Sequence, residues 1–287
     1  MGAEQKIIDT HNHLWKLKGE HFSWITEEMD LIRRDFSFVD LKKVLSTNHV
    51  NGSILVQAIP TTEESEALLK IADDNELVKG VIGWCDIRKG ARVQQDIDHL
   101  KQSGSLLKGI RFMSQGLPAD HLLKPDFIEG CRTVGKNRLV YELLIIAKQL
   151  PEAIELVKQC PDVTFVIEHI AKPAIKKQEI SLWQENMMKM AQVSDKTYCK
   201  ISGMVTEADW KKWQQKDFEP YIDSVYRAFG QDRIMFGSDW PVALVAAEYE
   251  QVVKILNKWL EKHIELDKNK LFYKNAENVY SLSADHV

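Results

Sequence analysis

A rhythm constrains this chain more than any single residue does. Eight short apolar runs recur along it, at 6–13, 52–59, 78–87, 106–113, 139–147, 163–170, 198–204 and 233–240. They are continuously apolar rather than alternating, as expected of parallel strands covered on both faces. Helical patterning follows nearly every run. Leu41, Val44 and Leu45 share one face after Ser37, and Ala67, Leu68, Ile71 and Ala72 share another after Thr61 and Thr62. Val93, Ile97 and Leu100 make a third stripe. Pro151 stands where a first helical residue belongs, Gly230 suits a left-handed helix end, and Tyr249, Val253, Leu256 and Leu260 are spaced for one buried face. Strand-to-strand steps of about 25 to 47 residues match a βα unit. The expected fold class is therefore α/β, a single (β/α)8 TIM barrel spanning 1–287. No linker or shift of composition divides the chain, and 44% hydrophobic content suffices for one large core. A doubly wound open sheet is the rival. It calls for a glycine-rich phosphate turn after a strand, and neither G-x-G-x-x-G nor a Walker sequence is present.

In a barrel, chemistry gathers at the C-terminal ends of the strands. The first run ends in His11-Asn-His13. Residues one step apart on a strand point the same way, so the two imidazoles can grip one cation or two oxygens of a substrate. Asp9 shares their parity and is placed to orient a ligating imidazole. The later runs contribute Gln57, Trp84 and Asp86, Arg111, Glu142, Glu168 and His169, Lys200 and Ser202, then Ser238, Asp239 and Trp240. His11, His13, His169 and Asp239, from three separate strands, form a metal-ligand set. They equally suit a water-activating site with Asp239 as base. Each member also has a plain structural reading. His169 could be a buried histidine bonded to backbone, Asp239 a turn cap, and Arg111 a rim ion pair. Glu142 resists such a reading, because a carboxylate inside an apolar strand needs a partner. Trp15, Trp24 and Trp84 are pocket walls or core. The polar, aromatic stretch 16–36 has no period and reads as a long loop of the kind that often carries function.

Charge and cysteines limit the surroundings. A net charge of −4 with a pI near 6.2 argues against a nucleic-acid partner. No apolar run approaches the roughly 20 residues of a membrane helix. There is no basic-then-apolar leader, and Cys85, Cys131, Cys160 and Cys199 form no C-x-x-C pair. Buried thiols in a reducing, cytoplasmic compartment are expected. Self-association as a homo-oligomer stays open.

The motifs themselves are familiar. Ile8-Asp-Thr-His-Asn-His-Leu-Trp15 resembles the start of the amidohydrolase superfamily. Gly109-Ile-Arg-Phe112, Glu168-His-Ile-Ala-Lys-Pro173, Lys200-Ile-Ser-Gly203 and Phe236-Gly-Ser-Asp-Trp-Pro241 resemble its amidohydrolase-2 branch of sugar-lactone hydrolases, and Asn275-Ala-Glu-Asn-Val-Tyr280 is similar to that family's closing helix. The resemblance runs from the first strand to the C-terminus. It implies a (β/α)8 barrel that opens a lactone such as L-fuconolactone or L-rhamnonolactone. It puts His11, His13, His169 and Asp239 at the reaction centre, with Arg111 near the substrate. Glu142, Trp84 and Trp15 join Arg111 as expected substrate contacts.

Two departures bear on the metal. Members with two metals carry a bridging lysine or glutamate and two further histidines, whereas here the fourth and fifth strands offer Arg111 and Glu142. At most one divalent ion is expected, Zn²⁺ by preference, and metal-free catalysis is the alternative. Two other functions compete with lactone hydrolysis: one-metal decarboxylation of a small unsaturated or aromatic acid, and a non-catalytic barrel that binds a sugar acid.

Overall fold

A computed structural model of the chain describes residues 5–282. Its eight strands are all parallel and lie side by side in chain order. They are β1 (Ile8–Asn12), β2 (Gly52–Val56), β3 (Val78–Gly83), β4 (Leu107–Met113), β5 (Val140–Leu144), β6 (Phe165–Ile167), β7 (Thr197–Ile201) and β8 (Ile234–Phe236). The last strand returns to the first. The His13 amide donates to the Trp240 carbonyl at 2.8 Å and the Asp239 amide to the His11 carbonyl at 2.9 Å. Those two bonds close the sheet into the expected (β/α)8 barrel, and they are made by the residues that carry the histidine pair and the aspartate.

Helices lie outside the strands. They are α1 (Phe38–Thr47), α2 (Thr62–Asp73), α3 (Val93–Ser103), α4 (Pro125–Lys136), α5 (Leu150–Gln159), α6 (Ser181–Val193), α7 (Met204–Glu207), α8 (Gln215–Phe229), α9 (Tyr249–Leu260) and α10 (Asn275–Val279). The longest connection is the one from β1 to α1. Local sequence explains their ends. Ser37 and Asp40 form a reciprocal capping box on α1. Thr61 caps α2 by accepting from the Glu64 amide. Gly230 ends α8 with φ +66°, a conformation costly for any residue with a Cβ. No helix among the described residues is long and apolar enough to cross a membrane. The four cysteines are buried and free.

The interior of the barrel is layered. Ile8, Ile54, Val56, Ile82, Val140, Val166 and Met235 pack together inside it, closed from below by Ala276, Tyr280 and Leu282 of the C-terminal segment. Strand parity places Arg111, Glu142, Glu168 and Lys200 in the next layer up, and all four are buried. Residues two further along, such as Met113 and Leu144, reach the cavity above. The larger apolar core lies between the sheet and the helices.

Several strands are shorter than the apolar runs suggest. β6 stops at Ile167, and His169, Ile170, Ala171 and Lys172 all take positive φ, between +46° and +59°. β8 stops at Phe236, and Asp239 has φ +60°. Residues with side chains enter this region at a cost, of about 1–2 kcal/mol each for those without an Asn or Asp side chain. Such outliers persist where surrounding structure holds them, often at functional sites. The Trp183 indole helps hold the β6 turn by donating to the Ile170 carbonyl at 2.7 Å.

Candidate active site

The histidine pair sits as strand parity requires. The Nε2 atoms of His11 and His13 approach to 3.1 Å. His13 Nδ1 lies 2.8 Å from the Val56 carbonyl. A carbonyl only accepts, so Nδ1 carries the proton and Nε2 of neutral His13 is a bare lone pair. Asp239 arrives from the far side of the barrel seam. Its Oδ1 lies 3.7 Å from His13 Nε2, 3.9 Å from His11 Nε2 and 3.9 Å from His169 Nε2. His169 is oriented by Ser202, whose Oγ is 2.9 Å from its Nδ1. Gly203 makes room for that ring: a Cβ there would fall 2.5 Å from His169 Nδ1. Gly237 does the same for His11, with 2.8 Å to the His11 Cβ.

These groups keep their lone pairs. Burial pushes His11 well below the ordinary imidazole value, and the positive charge of its neighbours adds to this. Burial takes His169 down to about 4, against the pull of Asp239 and Glu168. Burial alone would raise Asp239, but the pull of His169, His13 and Lys172 outweighs it and holds the carboxyl below its usual range. Neutral imidazoles around an ionised carboxylate make a ready cation site. A tetrahedral divalent ion with bonds of about 2.0–2.2 Å separates its donors by about 3.4 Å. The four separations above, 3.1 to 3.9 Å, bracket that figure. His11, His13 and Asp239 offer donors within 4.8 Å of one another, and so do His11, Glu168 and His169. The residues fit one divalent ion.

Above the cluster opens a cavity of about 330 Å³. His13, Arg111, His169 and Asp239 line it, as do Lys172, Thr206, Glu207 and Gln115. Trp15, Trp24, Trp210, Met29, Val242 and Val245 give it a largely apolar wall. The long loop at 16–36 supplies Trp24 and Met29, folded into two short 3-10 turns and clamped where Trp15 and Phe36 exchange backbone bonds of 3.0 and 2.8 Å. Trp15 is 4% exposed, and its indole donates to the Arg34 carbonyl at 2.8 Å. It serves as wall and core at once.

Three expectations need correction. Glu142 is fully buried and does not line the cavity. It belongs one layer lower, where Lys200 Nζ contacts its two oxygens at 2.7 and 2.6 Å and the Tyr280 hydroxyl donates at 2.6 Å. Leu144, two residues on, takes the cavity position instead. Burial and the charge of Glu168 push Glu142 up, against the pull of Lys200. Trp84 is half-buried and also absent from the lining; its amide is tied to Ser65 Oγ of α2 at 2.8 Å as the chain leaves the barrel top. Asp9 touches no imidazole. Its carboxylate accepts from the Ser238 and His11 amides at 2.8 and 3.1 Å and from the Tyr249 hydroxyl at 2.9 Å, stitching β1 to the β8 end.

Arg111 is 3% exposed and held from behind, with Nη1 2.9 Å from Glu168 Oε2 and Nη2 bonded to the Gln57 carbonyl. Its Nε has no partner among the described residues. Sequence reading missed Lys172, Glu207 and Trp210. Lys172 follows His169 by three residues, and only the left-handed turn brings both to one cavity. Glu207 and Trp210 lie on and just after the short α7, which has no visible period in sequence.

With this geometry in hand, the chain compares closely with known proteins. A family model described as amidohydrolase matches residues 8–282. L-fucono-1,5-lactonase of Burkholderia multivorans is 30% identical over 295 aligned residues, covering 98% of this chain and 97% of that protein. L-rhamnono-gamma-lactonase of Scheffersomyces stipitis is 24% identical over 238 residues, covering 72% and 70%. A crystal structure of an amidohydrolase from Burkholderia multivorans with bound zinc superposes with a TM-score of 0.90 at 30% identity, covering 96% of this chain and 99% of that one. The match spans the barrel from β1 to α10 and includes every residue of the histidine and aspartate cluster, so this chain belongs to the amidohydrolase family.

Proposed function

We propose that this protein hydrolyses a sugar lactone to its free acid, an aldonolactone of the L-fuconolactone or L-rhamnonolactone kind, with Asp239 as general base. One observation carries the reading. A single ionised carboxylate oxygen stands 3.7 to 3.9 Å from three imidazole nitrogens, facing a cavity sized for a small ligand. The lactonase names of its relatives supply the substrate class.

Zn²⁺ is the proposed ion, held by His11, His13 and Asp239 with His169 beside them. When bound it supplies Lewis-acid chemistry, polarising the carbonyl and acidifying water. The chain's own groups do the rest. Asp239 is kept ionised, and its backbone N–H fixes it by donating a hydrogen bond to the His11 carbonyl, so it can take a proton from water as that water attacks the lactone carbonyl. The ring oxygen leaves as an alcohol, and protonated Asp239 returns the proton to it. Arg111, anchored by Glu168, borders the cavity and orients the lactone there through its guanidinium. The tryptophan wall offers apolar faces to the sugar and excludes water.

A panel of aldonolactones, followed with a pH indicator with and without chelator and added Zn²⁺, tests the proposal. Acid release on at least one lactone supports it. Gas release from an unsaturated or aromatic acid, without acid release from any lactone, replaces it with decarboxylation. Ligand-induced thermal stabilisation without turnover replaces it with a binding role. Elemental analysis of metal-replete protein should find at most one divalent ion per chain, and two tightly held ions would refute that count.

A further inference from the structure

His11 stands between a donor and an acceptor that want opposite things of it. Its Nδ1 lies 3.4 Å from the Lys200 ammonium and 3.8 Å from Glu168 Oε1. Its Nε2 lies 3.1 Å from His13 Nε2, which is a bare acceptor because His13 spends its Nδ1 proton on the Val56 carbonyl. In the conformation described, His11 must therefore carry its proton on Nε2 and donate it to His13. The hydrogen bonds then run in one direction: Lys200 to His11, His11 to His13, His13 to Val56.

That tautomer cannot ligate through Nε2. A cation shared by His11 and His13 needs both Nε2 atoms bare, which moves the His11 proton to Nδ1. There it faces the Lys200 ammonium, which only donates, and requires an acceptor. Glu168 Oε1 is that acceptor. It is fully buried, it has no hydrogen-bond partner among the described residues, and its sister oxygen is pinned by Arg111 at 2.9 Å. Leaving such an oxygen unpaired costs free energy, and a ligating histidine commonly gives its other N–H to a carboxylate. The guanidinium on Oε2 also argues against Glu168 as a ligand, since its charge repels a cation placed there.

We propose that Glu168 is the positioning residue that selects the metal-binding tautomer of His11. Its free oxygen accepts a hydrogen bond from the Nδ1–H when the cation binds, and Lys200 holds the opposite tautomer when the site is metal-free. The inference rests on the cation site proposed above and not on the identity of the lactone.

Two measurements test it, neither of them turnover. The first is the imidazole ¹⁵N–¹H correlation spectrum of the wild-type protein, with His11 assigned by the loss of its signals in His11→Asn. The metal-free spectrum should show His11 protonated on Nε2, and Zn²⁺ should move the proton to Nδ1. The second is Zn²⁺ affinity, by competition with a chromophoric chelator, in Glu168→Gln. The glutamine carbonyl pairs with Arg111, and its amide then donates to His11 Nδ1 and enforces the wrong tautomer. Affinity should fall about 10- to 100-fold. A His11 proton on Nδ1 in the metal-free protein overturns the proposal, as does Glu168→Gln binding Zn²⁺ as tightly as wild type. If that variant fails to fold, the wild-type spectra decide alone. A wild-type protein that takes up no zinc also overturns the proposal, while lactone turnover separately judges the hydrolase reading.

Discussion

Gly203→Ala isolates how much the position of His169 matters. Gly203 follows β7 with φ +61°, and an added Cβ would lie 2.5, 2.7 and 2.9 Å from three atoms of His169. Ordinary contact begins at 3.4 Å, so the ring must retreat by about 0.9 Å or the turn must shift by as much. Retreat strains the 2.9 Å contact with Ser202 and moves Nε2 relative to Asp239. A misplacement of about 1 Å at a reacting centre can cost about 10²-fold in rate. Stability should fall too. A Cβ at this φ costs about 1–2 kcal/mol, partly offset by a stiffer unfolded chain, and the overlap adds about 1–3 kcal/mol. Gly230→Ala is the control for backbone strain without overlap: it has φ +66° and ψ 175°, a region essentially restricted to glycine, but nothing within 4 Å of the added Cβ. It should lose about 1–3 kcal/mol by urea unfolding and keep its kcat. Gly203→Ala should lose about 2–3 kcal/mol and about 10²-fold in kcat on the preferred lactone. Equal kcat in the two variants would refute the claim that Gly203 exists to seat His169.

Asp239→Asn keeps the shape and removes the base, so kcat should drop at least about 10²-fold with the melting temperature little changed; near-wild-type turnover would end its assigned role. Arg111→Ala leaves the buried Glu168 carboxylate without its cation and should cost about 3 kcal/mol in chemical denaturation, far more than a rim ion pair is worth. Glu64, which holds the Ala58 amide at the cavity wall, predicts a pH effect on stability. Burial raises its carboxyl to about 7, although it accepts from the Ala58 and Ile59 amides at 2.9 Å each. Between about pH 4.5 and 7 the folded state binds the extra proton, so this group's contribution to stability declines as pH rises through that window. The decline should be about 2 kcal/mol after allowance for its partial exposure. Glu64→Gln keeps an acceptor oxygen, and its unfolding free energy should lose correspondingly less than wild type from pH 5 to pH 8.

Sequence alone determined the architecture of this protein, and for a physical reason. Parallel strands covered on both faces must be continuously apolar, and the helices that cover them must carry stripes at helical period. Both patterns are local, so they can be read without knowing what packs on what. His11 and His13 were legible for the same reason, since strand parity is a local rule. Depth along the barrel axis is not local. Glu142 and Leu144 share a face of β5, and only the closed barrel decides that Leu144 meets the cavity while Glu142 meets Lys200 and Tyr280 below it. Lys172 reaches the site because four successive residues turn left-handed after β6, a conformation that sequence propensity argues against and that packing must impose. The placing of Asp239 beside histidines more than 200 residues away rests on the two backbone bonds that join the β8 end to β1. The tautomer of His11 is likewise decided by groups just past β6 and on β7, because a proton's position depends on which donors and acceptors the fold has brought within reach.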